Sequence, residues 1–199
     1  MSIAEGFLAL VQKVTRDLDL EKVREDLHAL ALRHPELTTR QRADRMVAVT
    51  ARRAAALGAV ASLPPGWAAL AAVGPELSAL LVMQSRLILG LHLLYGGTPE
   101  PEERALEVLA GLASGAGINV GRRLTARLAE EVAERLLVRV AGRGLTHVVP
   151  LVGAAAAAAL NYAAVRAIGR AAISRVERLY GPPEMPGSGP VLDARGKVA

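Results

Sequence analysis

Apolar residues recur at intervals of three and four through Ile3, Phe7, Leu10, Val14 and Leu18, with Gln12, Lys13, Arg16 and Asp17 between them. That period predicts an amphipathic helix over residues 3–18 that buries one stripe. Asp19 is placed to cap a second helix, with its stripe at Leu20, Val23, Leu27 and Leu30, and Pro35 ends it after Arg33 and His34. Thr38 followed three residues later by Gln41 has the form of a capping box and opens a third helix through Arg42, Met46 and Thr50 toward Leu57. From Ala54 to Pro75 no residue is charged, a length that could cross a bilayer, but Pro64, Pro65 and Gly66 interrupt it. The pattern therefore predicts a helix ending near Leu63, a sharp turn, and a new helix from Trp67 to Tyr95 with a break at Gly74 and Pro75.

Gly96 and Gly97 close that helix. Thr98 and Pro99 start the next, with Glu100, Glu102 and Glu103 at the positive end of its dipole. Another helix is expected over about Val120 to Val140, with Leu124, Leu128, Val132 and Leu136 inside and Arg127, Glu131 and Arg135 four apart outside. The stretch from Pro150 to Tyr180 combines a helix-opening proline, six consecutive alanines, Asn161 and an arginine-studded far end. Alanine has the highest helix propensity, and its small side chain lets a neighbouring backbone come close. On this stretch Asn161 lies about half a turn from Arg170 and shares a side with Ala164, Val165, Ile168 and Ala172. It is expected to point into a packed face and to bond backbone groups of a facing helix, at the breaks near Pro64 to Gly66 or Gly74 and Pro75.

The fold class that follows is all-α: a compact bundle of about seven to nine helices with Ala-rich, Pro-interrupted apolar hairpins. Residues 1–180 form one helical domain in this reading, and the Pro- and Gly-rich residues 181–199 form a flexible tail. Two places match at a spacing of 85: Pro65 with Pro150, and Leu94, Tyr95, Gly96 with Leu179, Tyr180, Gly181. A duplicated helical hairpin would produce this agreement, as would chance among many offsets.

Composition sharpens the picture in three ways. Aromatics are only 3% of the 199 residues, so the apolar content is Ala, Leu and Val, which suits close-packed helices and disfavours sheets. The absence of cysteine excludes disulfides and zinc-thiolate sites. The formal charge of +5 is concentrated from Val140 onward, where Arg143, Arg166, Arg170, Arg175, Arg178, Arg195 and Lys197 face Glu177, Glu184 and Asp193. Anionic lipid could exploit such a surplus, or it could be a solvated face; nucleic acid is disfavoured because stacking rings are nearly absent. Glu5 stands where a secretory signal carries positive charge, so the expectation is a chain that stays in the cell.

Candidate chemistry is sparse. No two of His28, His34, His92 and His147 share a helix at metal-ligand spacing, so no metal or other cofactor is expected. His92, inside the apolar run Leu87 to Leu94, reads as a buried histidine bonded to a neighbour. Ser62, Ser78 and Ser85 lack a nucleophile elbow, and the pairs Glu102/Glu103 and Glu130/Glu131 sit where helix electrostatics explains them. The SGAGINVG stretch lacks the Lys-Ser/Thr ending of a phosphate loop. Arg86 stands out: a charge among Leu81, Val82, Leu87, Ile88 and Leu89 must reach a partner, water or lipid phosphate. The alternative is a side chain that snorkels to the surface.

Residues 63–96, LPPGWAALAAVGPELSALLVMQSRLILGLHLLYG, and 148–172, VVPLVGAAAAAALNYAAVRAIGRAA, resemble the EcsC family of bacterial proteins. Pro65 lies in the first block, and in the second Pro150, Gly153 and Asn161 match a recurring Pro-x-x-Gly and a later Asn. The chain departs from the family before Pro64, where it is alanine-rich and relatives are glycine-rich. The resemblance implies an all-helical, hydrophobic bacterial protein, named from a gene beside an ABC transporter, and carries over no catalytic residues. The expected function is thus a non-enzymatic, membrane-associated helical protein in the cytoplasm, engaging a membrane surface or an apolar protein partner. The rival is a soluble helical interaction or homo-oligomerisation module.

Overall fold

The computed structural model describes residues 3–61, 67–118, Glu131 and 150–181. They form six α-helices: α1 (Ile3–Asp17), α2 (Leu20–Arg33), α3 (Thr39–Ala61), α4 (Trp67–Leu94), α5 (Pro101–Gly115) and α6 (Pro150–Tyr180). No strand occurs among the described residues. The segment expected to be helical over 120–140, the turn containing Pro65 and the tail beyond Gly181 lie outside them.

Local punctuation sets most boundaries. The Asp19 carboxylate accepts from Lys22 N at 3.1 Å and caps α2. Thr38 and Gln41 form the reciprocal capping box, with Thr38 N donating to Gln41 Oε1 at 2.9 Å and Gln41 N to Thr38 Oγ1 at 3.2 Å. At the end of α4, Gly96 has φ 82°, its N–H bonds Leu93 O, and Gly97 N bonds His92 O. This Schellman closure requires the left-handed conformation that glycine supplies. The Ser114–Ile118 part of the glycine-rich linker closes α5 in the same way, with Gly117 N on Ser114 O and Ile118 N on Ala113 O.

Two expectations are corrected. α5 starts at Pro101 with Glu100 as N-cap, two residues later than the Thr98–Pro99 signal suggested. α4 is not broken at Gly74 and Pro75. A proline removes only one i→i−4 bond, and the bonds on either side keep the segment helical.

α4 packs against each of the other five helices, while α6 lies mainly along α3 and also meets α4 and α5. Leu87, Ile88, Leu89 and Leu91 of α4 are buried with Val47 of α3, Val108 and Leu112 of α5, and Val165, Ile173 and Val176 of α6. A helix surrounded by partners must be apolar on every side, which is why α4 shows no one-sided stripe. The same property makes Leu77–Leu94 long and apolar enough to cross a membrane, although 56% of that stretch is buried inside the bundle. α1 contributes Phe7, Leu10 and Val14, with Leu18 just beyond its end, as half-buried neighbours of the core and Val11 at its centre.

Candidate functional site

A groove of about 320 Å³ opens between α2, α3 and α4. Its floor is apolar: Leu27 and Leu30 from α2, Met46 and Val49 from α3, Met83 and Leu87 from α4. Each set follows helical spacing of three or four, so each helix turns one stripe to the groove. On α2 the stripe divides. Leu20 and Val23 are buried, whereas Leu27 and Leu30 are only half-buried because they line this opening.

The rim is basic. Arg33, Arg45, Arg53 and Arg86 line it with one carboxylate, Asp26. Arg86 meets its expected need for a partner through a hydrogen-bonded ion pair with Asp26 on α2. Arg33 donates from Nε to Ala29 O at 3.2 Å, and His34 Nδ1 lies 3.3 Å from Glu36 Oε1. Arg45 and Arg53 sit eight residues apart on α3 with Val49 midway, and among the described residues neither has a carboxylate partner.

The second polar feature is a cluster where the C-terminal ends of α4 and α6 meet α5. His92, 1% exposed, has Nδ1 2.9 Å from Tyr180 Oη and Nε2 3.4 Å from Glu107 Oε2. Arg175 forks onto Glu107, with Nε to Oε2 at 2.8 Å and Nη2 to Oε1 at 3.0 Å. Burial pushes the Glu107 carboxyl up, but the hydrogen bonds and charges of His92 and Arg175 outweigh it and hold the group at about 2. An ionised Glu107 can only accept, so in a neutral ring Nε2 carries the proton and Nδ1 accepts from the Tyr180 hydroxyl. The Tyr180 hydroxyl is pushed up by burial and then by Glu107.

Beside this cluster the Tyr95 hydroxyl donates to Glu177 Oε1 at 3.2 Å, and Arg40 Nη1 reaches the same oxygen at 2.6 Å. Burial, then the Glu177 charge, pushes the Tyr95 hydroxyl up to about 12. The two tyrosines exchange partners reciprocally. Each is the last residue of its segment before a left-handed glycine, and each bonds the residue three before the other: Tyr95 to Glu177, Tyr180 to His92. Both histidine nitrogens are engaged, and among the described residues no group of three potential ligands converges on a metal position. The cluster ties helix ends together.

The residues singled out from sequence do not assemble into one site. Arg86 belongs to the groove. Pro150 is the first residue of α6 and Gly153 lies in its first turn. Pro65 lies outside the described residues. Asn161 is 3% exposed and donates from Nδ2 to Ala54 O of α3 at 3.1 Å. The facing-helix expectation holds: this partner is a carbonyl inside α3, and the expected break near Pro64 to Gly66 lies outside the described residues. A helical carbonyl keeps a second lone pair, and the residue four further on is Gly58, which has no side chain to shield it. A Cβ at Gly58 would overlap Asn161 Nδ2 and lie 3.0 Å from Ala157 O. Replacing Asn161 by Leu is expected to cost about 2 kcal/mol by losing this bond and crowding Gly58. Thermal melting should show it as a fall of roughly 4–8 °C for a chain of this size.

Sequence reasoning missed Arg45 and Arg53 as site residues. The signal was available, because α3 carries Arg40, Arg42, Arg45, Arg52 and Arg53 against Asp44 alone. Within the C-terminal surplus, by contrast, Arg175 is consumed by Glu107. No family model, curated protein or solved structure gives a significant match to the chain.

Proposed function

We propose that this is a non-enzymatic, membrane-associated helical protein of EcsC type that holds to an anionic bilayer surface from the cytoplasmic side with its bundle intact. The observation that carries this reading is the arginine face of α3, where Arg45, Arg52 and Arg53 have no carboxylate partner among the described residues. Each arginine near an anionic surface contributes about 1 kcal/mol, so three supply on the order of a hundredfold preference for an anionic over a neutral membrane. Surface attachment fits better than insertion, since freeing Leu77–Leu94 for lipid would expose the core that α4 organises.

Flotation with phosphatidylserine-containing vesicles and with pure phosphatidylcholine vesicles tests it. Binding only to the anionic vesicles, lost as salt is raised, is the expected result. Equal recovery with both compositions, or a washed membrane pellet devoid of the protein, would sink the reading. A soluble interaction or oligomerisation module is the second reading, favoured by the burial of most of α4's apolar length. It predicts a concentration-dependent oligomer in sedimentation and no vesicle binding. The reciprocal Tyr95 and Tyr180 contacts, at the 85-residue spacing of the two Leu-Tyr-Gly ends, support descent of the segments ending in α4 and α6 from one duplicated unit.

A further inference from the structure

We infer that the groove between α2, α3 and α4 is a binding site for a single-chain anionic amphiphile: one acyl chain ending in a phosphate monoester or carboxylate. This deepens the anionic-surface reading and shares its arginines, but it concerns one molecule held in a cavity instead of a bilayer face.

Three observations define the occupant. The floor is apolar on all three helices, and a groove of this kind left to water carries a cost that an acyl chain removes. The volume of about 320 Å³ lies at the low end of the roughly 300–1,000 Å³ of ligand pockets, which suits one chain and not the two of a phospholipid. The rim then sets the sign of the head group. Four arginines face one aspartate, and that aspartate is already paired with Arg86. Arg45 and Arg53 line the groove about two helical turns apart on α3 with Val49 between them, so a head group held by either guanidinium lies beside the apolar floor at Val49 and Met46. Guanidinium donors bind phosphate and carboxylate oxygens in paired, charge-assisted hydrogen bonds. Two of the chain's four methionines, Met46 and Met83, line the floor and can repack around chains of different length.

Titration calorimetry on the full chain, with lauroyl lysophosphatidate below its aggregation threshold, tests the inference. Lauroyl lysophosphatidylcholine and inorganic phosphate serve as comparison probes. Lysophosphatidate is expected to bind at one site per chain, with the zwitterionic probe and phosphate each at least about tenfold weaker. Arg45→Gln with Arg53→Gln changes exposed side chains only and should weaken lysophosphatidate binding by about tenfold or more while leaving the melting curve in place. Val49→Trp should block the floor and abolish binding; if that variant does not fold, the arginine pair decides alone. Equal binding of the zwitterionic probe, equal binding of phosphate without a chain, or wild-type affinity in the double variant would each overturn the site. Vesicle binding without lysophosphatidate binding refutes this inference and leaves the surface reading standing. Lysophosphatidate binding without vesicle binding does the reverse. A chain that releases lysophosphatidate only to an acidic amphipathic peptide, and binds that peptide more tightly, has a protein groove and not a lipid one.

Discussion

Gly58→Ala is expected to lower the melting temperature by roughly 5 °C, even though alanine gains about 1 kcal/mol over glycine in a helix interior. The added Cβ would overlap Asn161 Nδ2 and press on Ala157 O, and the second of these is backbone that cannot swing away. Either α3 and α6 separate or Asn161 leaves Ala54 O and becomes a buried amide without that bond, at about 1 to 3 kcal/mol. Helix-on-helix packing at this contact depends on the missing side chain, and α6 lies along α3 more than along any other helix. A double-mutant cycle isolates the effect. In an Asn161→Ala background the principal overlap is gone, so Gly58→Ala should become neutral or mildly stabilising, giving a coupling of about 2 kcal/mol between the two positions. A higher melting temperature for Gly58→Ala in the native background would show that the α3–α6 contact is looser than this packing requires.

Gly58 also marks the boundary of what the sequence discloses. Several helix ends are legible from local signals: Asp19, the Thr38–Gln41 box, Pro35 and the left-handed glycines at 96 and 181 act within a few residues of themselves, whereas the equally local Thr98–Pro99 pair misplaces the start of α5 by two residues. The partners of Arg86 and Asn161 lie 60 and 107 residues away, and their need for a partner could be read while its identity could not. The angle to Arg170 places Asn161 on the packed side of α6, and that side is buried with Val165, Ile168 and Ala172. The carbonyl it meets depends on the register of α3 against α6, which period alone does not set. The groove was hidden for a related reason. The period puts the α2 stripe on one face, but that Leu27 and Leu30 line an opening between three helices and stay half-buried depends on tertiary packing that no local pattern sets. The matching Leu-Tyr-Gly ends were visible as a repeat, but nothing local showed that each tyrosine reaches the other's helix.

Acid should unfold this protein partly through Glu107, and the sign follows from the direction of its shift. Its ordinary value is 4.5 and its folded value about 2, so the folded state favours the ionised form. The stabilisation is fully present above about pH 4.5 and is lost as pH falls through about 2. A shift of that size corresponds to an upper bound of about 3 kcal/mol, and solvent at the partly exposed edge of the carboxylate reduces it to about 2 kcal/mol. Glu107→Gln keeps the shape and one acceptor for Arg175 but removes the titration. Denaturant unfolding of both proteins across this pH window should show the native chain losing about 2 kcal/mol more than the variant, since the other carboxylates titrate alike in both. At neutral pH the variant should be the less stable of the two by a similar amount, because Arg175 and His92 keep their positions without a charge to face. Parallel pH profiles would remove Glu107 from any account of stability. The same variant also separates the helix-end cluster from the groove: Glu107 lines no part of it, so lysophosphatidate and vesicle binding at neutral pH should be unchanged. A loss of either in a folded Glu107→Gln protein would move the functional site from the α2–α3–α4 groove to the end where α4, α5 and α6 meet.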